Sequence, residues 1–165
     1  MPEDQAIAFE SLYNSHFVPV RNFLRIYLGD SAVVEDVAQD TFLQFWQSPN
    51  AFDPARSSLR AYLFGIARKK AADWWRKQEK SDHPAPEAVS PHTGSALLLS
   101  DALQQLSPDL RNVLWLREVE GYSYDELAAI LGLPVGTVKS RLFSAREQLR
   151  HVWQATNQTT SKENL

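Results

Sequence analysis

"LGLPVGTVKSRLFSAREQLR", residues 131–150, decides the fold of this chain. Its opening holds Gly132, Pro134 and Gly136, and from Thr137 onward it runs without a helix breaker. A glycine directly after a short amphipathic stretch supplies the left-handed residue that stops a helix and reverses the chain. A proline at the start of the next helix costs little, because the N–H it lacks would have no intrahelical partner. Ala128, Gly132 and Val138 have the spacing of a helix-turn-helix: a small residue at the crossing, a turn glycine, then a β-branched core residue. The breakers therefore set the angle at which the second helix leaves the domain.

On that second helix Val138, Leu142, Ala145 and Leu149 fall on one side at about 100° per residue, an apolar stripe. Opposite them stand Gly136, Lys139, Ser140 and Phe143, flanked by Thr137, Arg141, Ser144 and Arg146. A helix that buries one side and shows small polar, cationic and aromatic groups on the other suits the major groove of DNA. An αα-hairpin with a solvated basic face is the bland alternative, but turn spacing and charge agree on DNA.

Working outward toward the N-terminus, Ser123 and Glu126 make a capping box for a helix over Tyr124–Leu131. "SPD" at 107–109 gives a cap and a first-turn proline for a helix over Pro108–Glu118, with another helix over Ala96–Leu106 before it. "SDHPAPEAVSPHTGS", 81–95, holds three prolines and almost no large apolar side chain, so it reads as a flexible linker. Before it, a long helix fits Leu59 to about Lys80, with Leu59, Tyr62, Leu63, Ile66 and Ala67 inward. "SPNAFDPARSS", 48–58, is a loop; Ser31 can cap a helix running to about Gln47; and Phe9–Leu28 is a helix ended by Gly29–Asp30. No strand pattern occurs. The expectation is an all-α chain of two small helical domains, 1–80 and 96–154, joined by the linker 81–95, with 155–165 a disordered tail.

The first domain carries two unlike faces. With Val34, Val37, Ala38, Thr41 and Phe45 as the core stripe of the second helix, its far side shows Asp36, Gln39, Asp40, Leu43 and Trp46. Aromatic and aliphatic anchors in a polar surround are what protein interfaces use, although Trp46 and Leu43 would also suit packing on a neighbouring helix. The helix over 59–80 instead carries Arg60, Arg68, Lys69, Lys70, Arg76 and Lys77, interleaved with Tyr62, Trp74 and Trp75. Cations draw phosphates and aromatics stack on unpaired bases, while core aromatics beside snorkelling cations would look the same on one helix. The preceding loop, with Phe52, Asp53, Arg56, Ser57 and Ser58, lies close enough to help hold a base taken out of the stack.

The formal charge of −3 argues against nucleic acid only as a sum. Residues 1–50 are net −5, 51–80 net +5, 81–130 net −6 and 131–165 net +3. Two basic blocks between acidic ones can meet a polyanion at two places. There is no cysteine, so no disulfide framework or thiolate metal site. His16, His83, His92 and His151 are scattered without an i,i+4 pair, which leaves no metal site and no catalytic constellation. No stretch has the length of an apolar membrane span, and the start lacks a signal peptide. The chain is therefore expected to be cytoplasmic, neither an enzyme nor membrane-inserted, with no cofactor, metal or small-molecule substrate.

"VVEDVAQDTFLQFW", "LRAYLFGIARKKAADWWRK" and "YSYDELAAILGLPVGTVKSRLFSAREQLR", in that order, resemble the extracytoplasmic-function sigma factors of bacterial RNA polymerase over about Phe9–Trp153. The resemblance implies that the first domain is region 2, which binds the polymerase clamp helices and melts the −10 promoter element. It implies that the second is region 4, which reads the −35 element and docks on the polymerase flap. Asp36, Gln39, Asp40 and Trp46 match the clamp-binding face, with Leu43 beside them. The 48–58 loop matches the one that captures a flipped base. With the basic helix it gives the −10 set: Phe52, Asp53, Ser57, Ser58, Arg60, Tyr62, Arg68, Lys69, Lys70, Trp74 and Arg76. Lys139, Ser140, Arg141 and Phe143 match −35-reading positions, with Thr137, Ser144 and Arg146 around them. Many relatives have Arg or Lys where this chain has Ser144, and Asn where it has Lys69. The linker stands in place of region 3, and regions 2 and 4 alone are expected. Core RNA polymerase, promoter DNA and an anti-sigma factor are the implied partners. A helix-turn-helix regulator with an N-terminal effector domain is the rival reading, and it leaves the basic aromatic helix unexplained.

Overall fold

A computed structural model of the protein describes residues 3–29, 32–81 and 101–163. Regular structure among these is entirely helical. Helix α1 spans Glu3–Leu28, α2 Val33–Gln47 and α3 Leu59–Lys80, with a single 3₁₀ turn at Pro49–Ala51. A short helical stretch over 101–104 precedes α4, Pro108–Glu118, then α5, Tyr124–Leu131, and α6, Val135–Glu163.

The first bundle forms because three amphipathic stripes converge. Val20, Phe23 and Leu24 of α1, Val34, Ala38 and Phe42 of α2, and Leu63, Phe64 and Ala67 of α3 are almost fully shielded from solvent. Phe23 stacks on Phe64 with centroids 4.8 Å apart, and Tyr13 meets Phe42 edge-on at 4.9 Å. Burial of such rings supplies most of the local stability, at about 25 cal/mol per Å² of apolar surface removed from water. Gly29, at φ 78°, ends α1 in the left-handed region. Ser31, expected to cap α2, lies outside the described residues; Ala32 precedes the helix with no side-chain cap.

The second bundle follows its caps closely. Ser123 and Glu126 form the reciprocal capping box, at 3.2 and 2.7 Å. Ser107 does not cap α4 by its side chain; only its carbonyl accepts, from the Arg111 N–H. Gly132 closes α5 at φ 64°, ψ 37°. Leu127, Ile130, Val138, Leu142 and Ala145 fill the space between α4, α5 and α6. Two expectations change. The helix expected from Phe9 begins at Glu3, and α6 continues to Glu163, so residues 155–163 are helical where a disordered tail was expected. The linker reading, 81–95, lies outside the described residues beyond Ser81.

The bundles do not stand apart. Helix α1 packs on α4 and α3 on α5, and one hydrophobic cluster runs through both. Phe64 meets Tyr122 edge-on with centroids 6.1 Å apart. The Tyr27 hydroxyl donates to Asp109 at 3.1 Å, and Arg60 pairs with Glu120 at 3.5 Å.

Candidate nucleic-acid and polymerase interfaces

The expected recognition surface is built by the turn at Gly132. A left-handed residue there reverses the chain, and the Leu133 N–H returns to the Ala128 carbonyl at 3.0 Å. Helix α6 then buries Val138, Leu142 and Ala145, which leaves Gly136, Lys139, Ser140, Phe143, Ser144 and Arg146 outside. Phe143 is 68% exposed, far beyond what packing would leave for a ring. The seven expected DNA contacts divide into three groups. Lys139, Ser140, Phe143 and Ser144 form one outward surface, and Ser140 donates back to the Thr137 carbonyl at 3.0 Å. Arg141 and Thr137 are half-buried, and Arg141 leans to Asp109 at 3.8 Å. Arg146 holds Glu118 through two nitrogens, at 2.5 and 3.2 Å.

The expected −10 residues sit on α3 and on the loop before it. Ser58 caps α3 by accepting the Ala61 N–H at 3.1 Å, and Asp53 folds the loop by accepting the Ala55 N–H at 2.9 Å. The Phe52 ring lies 5.3 Å from that of Tyr62. Trp74 and Trp75 are half-buried against the core, and the Trp75 indole donates to the Tyr27 carbonyl. Both rings are thus partly committed to the core of the bundle. Arg76 pairs with Asp73 on its own helix. Lys69 is exposed and Lys70 half-buried.

Arg56, Ser57, Tyr62 and Lys69 open into a cleft of about 520 Å³ whose far wall is α5, with Asp125 and Glu126. Carboxylates of the second bundle therefore face the cations of the first. Arg68 reaches across to the turn, its guanidinium beside Gly132 and its Nε without a hydrogen-bond partner. Burial raises the Tyr27 phenol to about 12, and the nearby Asp109 carboxylate adds to this. Tyr122 is also raised to about 12 by burial, with Glu120 next to it. Both phenols therefore stay neutral well above neutral pH, and Tyr27 donates across the contact between bundles.

The third face lies on α2. Asp36, Gln39, Asp40 and Leu43 are exposed, Leu43 by 52%. Trp46 is half-buried, its ring edge-on to Phe9 at 4.6 Å, so part of it belongs to the packing of α1 on α2. Tyr124 and Asp109 were absent from the expected sites. Each touches expected DNA-binding cations from another helix, a proximity without local sequence signal.

Among the described residues no cluster of three metal-ligating side chains occurs, and no helix is long and apolar enough to cross a membrane.

The model of Sigma-70 region 2 matches residues 12–81, and that of Sigma-70, region 4 matches 96–149. The ECF RNA polymerase sigma factor SigL of Mycobacterium tuberculosis is 34% identical over 157 residues, covering 88% of this chain and 89% of that protein. The sigma factor CarQ of Myxococcus xanthus is 33% identical, with 88% of each covered. Among solved structures, the sigma factor RpoE in complex with the anti-sigma factor NepR from Bartonella quintana superposes at TM-score 0.77 with 29% identity, covering 89% of this chain and 97% of that one. CnrH, in complex with the cytosolic domain of CnrY, superposes at 0.69 with 31% identity, covering 91% and 90%.

Proposed function

This chain belongs to the extracytoplasmic-function sigma factors of the sigma-70 family, and from that premise we propose how its surfaces divide the work. As a sigma factor it directs promoter-specific transcription initiation by core RNA polymerase and catalyses nothing itself. It works where the polymerase is, in the cytoplasm. Region 2, α1–α3, holds core polymerase through Asp36, Gln39, Asp40 and Leu43, with the exposed part of Trp46. The 48–58 loop, with Tyr62, Arg60, Arg68 and Lys69, takes the melted −10 strand. Region 4 reads the −35 element with Lys139, Ser140 and Phe143, and Arg146 binds backbone. The observation that carries this division is the outward face of α6: an exposed ring and an exposed cation directly after a left-handed turn.

The docked arrangement bears on mechanism. By their names the two promoter elements lie about 25 base pairs apart, roughly 85 Å of duplex at 3.4 Å per step. Arg68 of the −10 set and Arg141 of the −35 set both act on the same Tyr27 phenol. In this form the two DNA faces lie side by side, so one molecule cannot reach both elements. Core polymerase therefore draws the bundles apart, and Arg60 and Arg141 exchange Glu120 and Asp109 for DNA. An anti-sigma partner that holds the bundles together would keep both faces out of use. The similarity to the sigma factor RpoE, solved with the anti-sigma factor NepR, supports this. The rival regulator reading gains nothing from the relatives.

Binding of duplex and of fork-junction promoter DNA tests the proposal. With core polymerase, fork-junction DNA exposing the −10 strand should bind far more tightly than duplex, and the free chain should bind both poorly. Tight, specific duplex binding by the free chain would contradict it.

A further inference from the structure

Tyr124 opens α5, directly after the capping Ser123, and is half-buried. Two cations flank its ring. The Arg117 guanidinium lies 4.7 Å from the ring centroid and the Lys139 ammonium 5.6 Å from it. Arg117 is itself fixed, donating to the Tyr122 carbonyl at 2.7 Å, so the ring has a firm backing from α4.

An exposed lysine on a four-carbon stem samples many rotamers and points at no base in particular. An ammonium within about 6 Å of a ring centroid is held by the ring quadrupole. Holding it there before DNA arrives removes part of the ordering entropy that binding would otherwise cost.

We propose that Tyr124 is a positioning residue for −35 recognition: its ring aims Lys139 at a base edge. One side chain on the first helix of the helix-turn-helix thus sets a specificity contact on the second. The inference rests on the proposed role of Lys139 at the −35 element.

Selection of −35 variants by holoenzyme tests the ring. Tyr124→Leu removes ring and hydroxyl; Tyr124→Phe removes the hydroxyl alone. The Leu variant should relax the base-pair preference that Lys139→Ala relaxes, with about two- to fivefold loss of discrimination. The Phe variant, which keeps the ring, should keep that preference. Melting points near wild type in both variants show that region 4 still folds. Tyr124→Met, also without a ring, replaces the Leu variant should that one fail to fold. Unchanged preference in the ringless variant, where Lys139→Ala shifts it, overturns the proposal. So does a Phe variant that loses preference as the ringless one does. Should Lys139→Ala shift no preference, the −35 reading itself fails, and the Tyr124 inference falls with it.

Discussion

Lys139 and Arg141 lie two residues apart on α6, yet their surroundings differ. Lys139 is exposed, whereas Arg141 is half-buried beside Asp109. Replacing Lys139 or Phe143 with Ala should cost about 1–3 kcal/mol at the −35 element and relax preference at single base pairs. Arg150, one turn beyond Arg146 and paired with Glu147, should meet only phosphate. Arg150→Ala should therefore weaken all sequences alike and lower the salt slope by about one. Ser144→Arg, which adds a cation to an exposed position, should shift the selected −35 motif. Unchanged motifs across Lys139, Phe143 and Ser144 would mean that α6 is not the reader. The outward residues were legible from sequence because helical period alone sorts them. The partners of Arg141 and Arg146 were not, since Asp109 and Glu118 come from α4, far away along the chain.

At the scale of elements, caps decided what could be read. The bounds of α4 and α5 follow from Pro108, the Ser123–Glu126 box and Gly132, all local signals. Residues 155–163 contain no Gly or Pro, so nothing stops α6; their low apolar content had suggested a tail. The cap residues give stability predictions. Ser123→Ala should cost about 1 kcal/mol through the lost cap. Gly132→Ala should cost about 1–2 kcal/mol, because a Cβ is strained at φ 64° although the nearest atom is 3.7 Å away. Thermal melting of each variant beside wild type measures both, and a melting point unchanged by Gly132→Ala would contradict the turn. On α2, Trp46 touches Phe9, so its truncation mixes stability with binding. Asp40→Lys is the cleaner probe: it should weaken core polymerase binding while the melting point stays near wild type. Core affinity unchanged by that charge reversal would remove this face from the interface.

For the whole molecule, the sequence suggested two bodies on a tether, and the structure joins them through Tyr27–Asp109, Arg60–Glu120 and Phe64–Tyr122. Such contacts between distant segments leave no periodic trace. They do leave a pH signature. Tyr27 and Tyr122 have folded pKa values of about 12, above the unfolded value of about 10. Their contribution is complete below pH 10 and is lost as pH rises from there toward 12. The melting temperature should fall over that window, and less steeply in Tyr27→Phe. An equal fall in both would place Tyr27 outside the contact. Asp109→Asn together with Glu120→Gln should loosen the docked form, seen as a larger radius of gyration by small-angle scattering. No change in radius would show that polar contacts do not hold the bundles.

The central claim is that this chain confers promoter-specific initiation on an enzyme that lacks it alone. Run-off transcription from a cognate promoter, with core RNA polymerase and the purified chain, tests it most directly. The account predicts a transcript of defined start that requires both chain and core, and that is lost when the −10 or −35 element is scrambled. A transcript indifferent to those elements, or none with core and chain together, would contradict it.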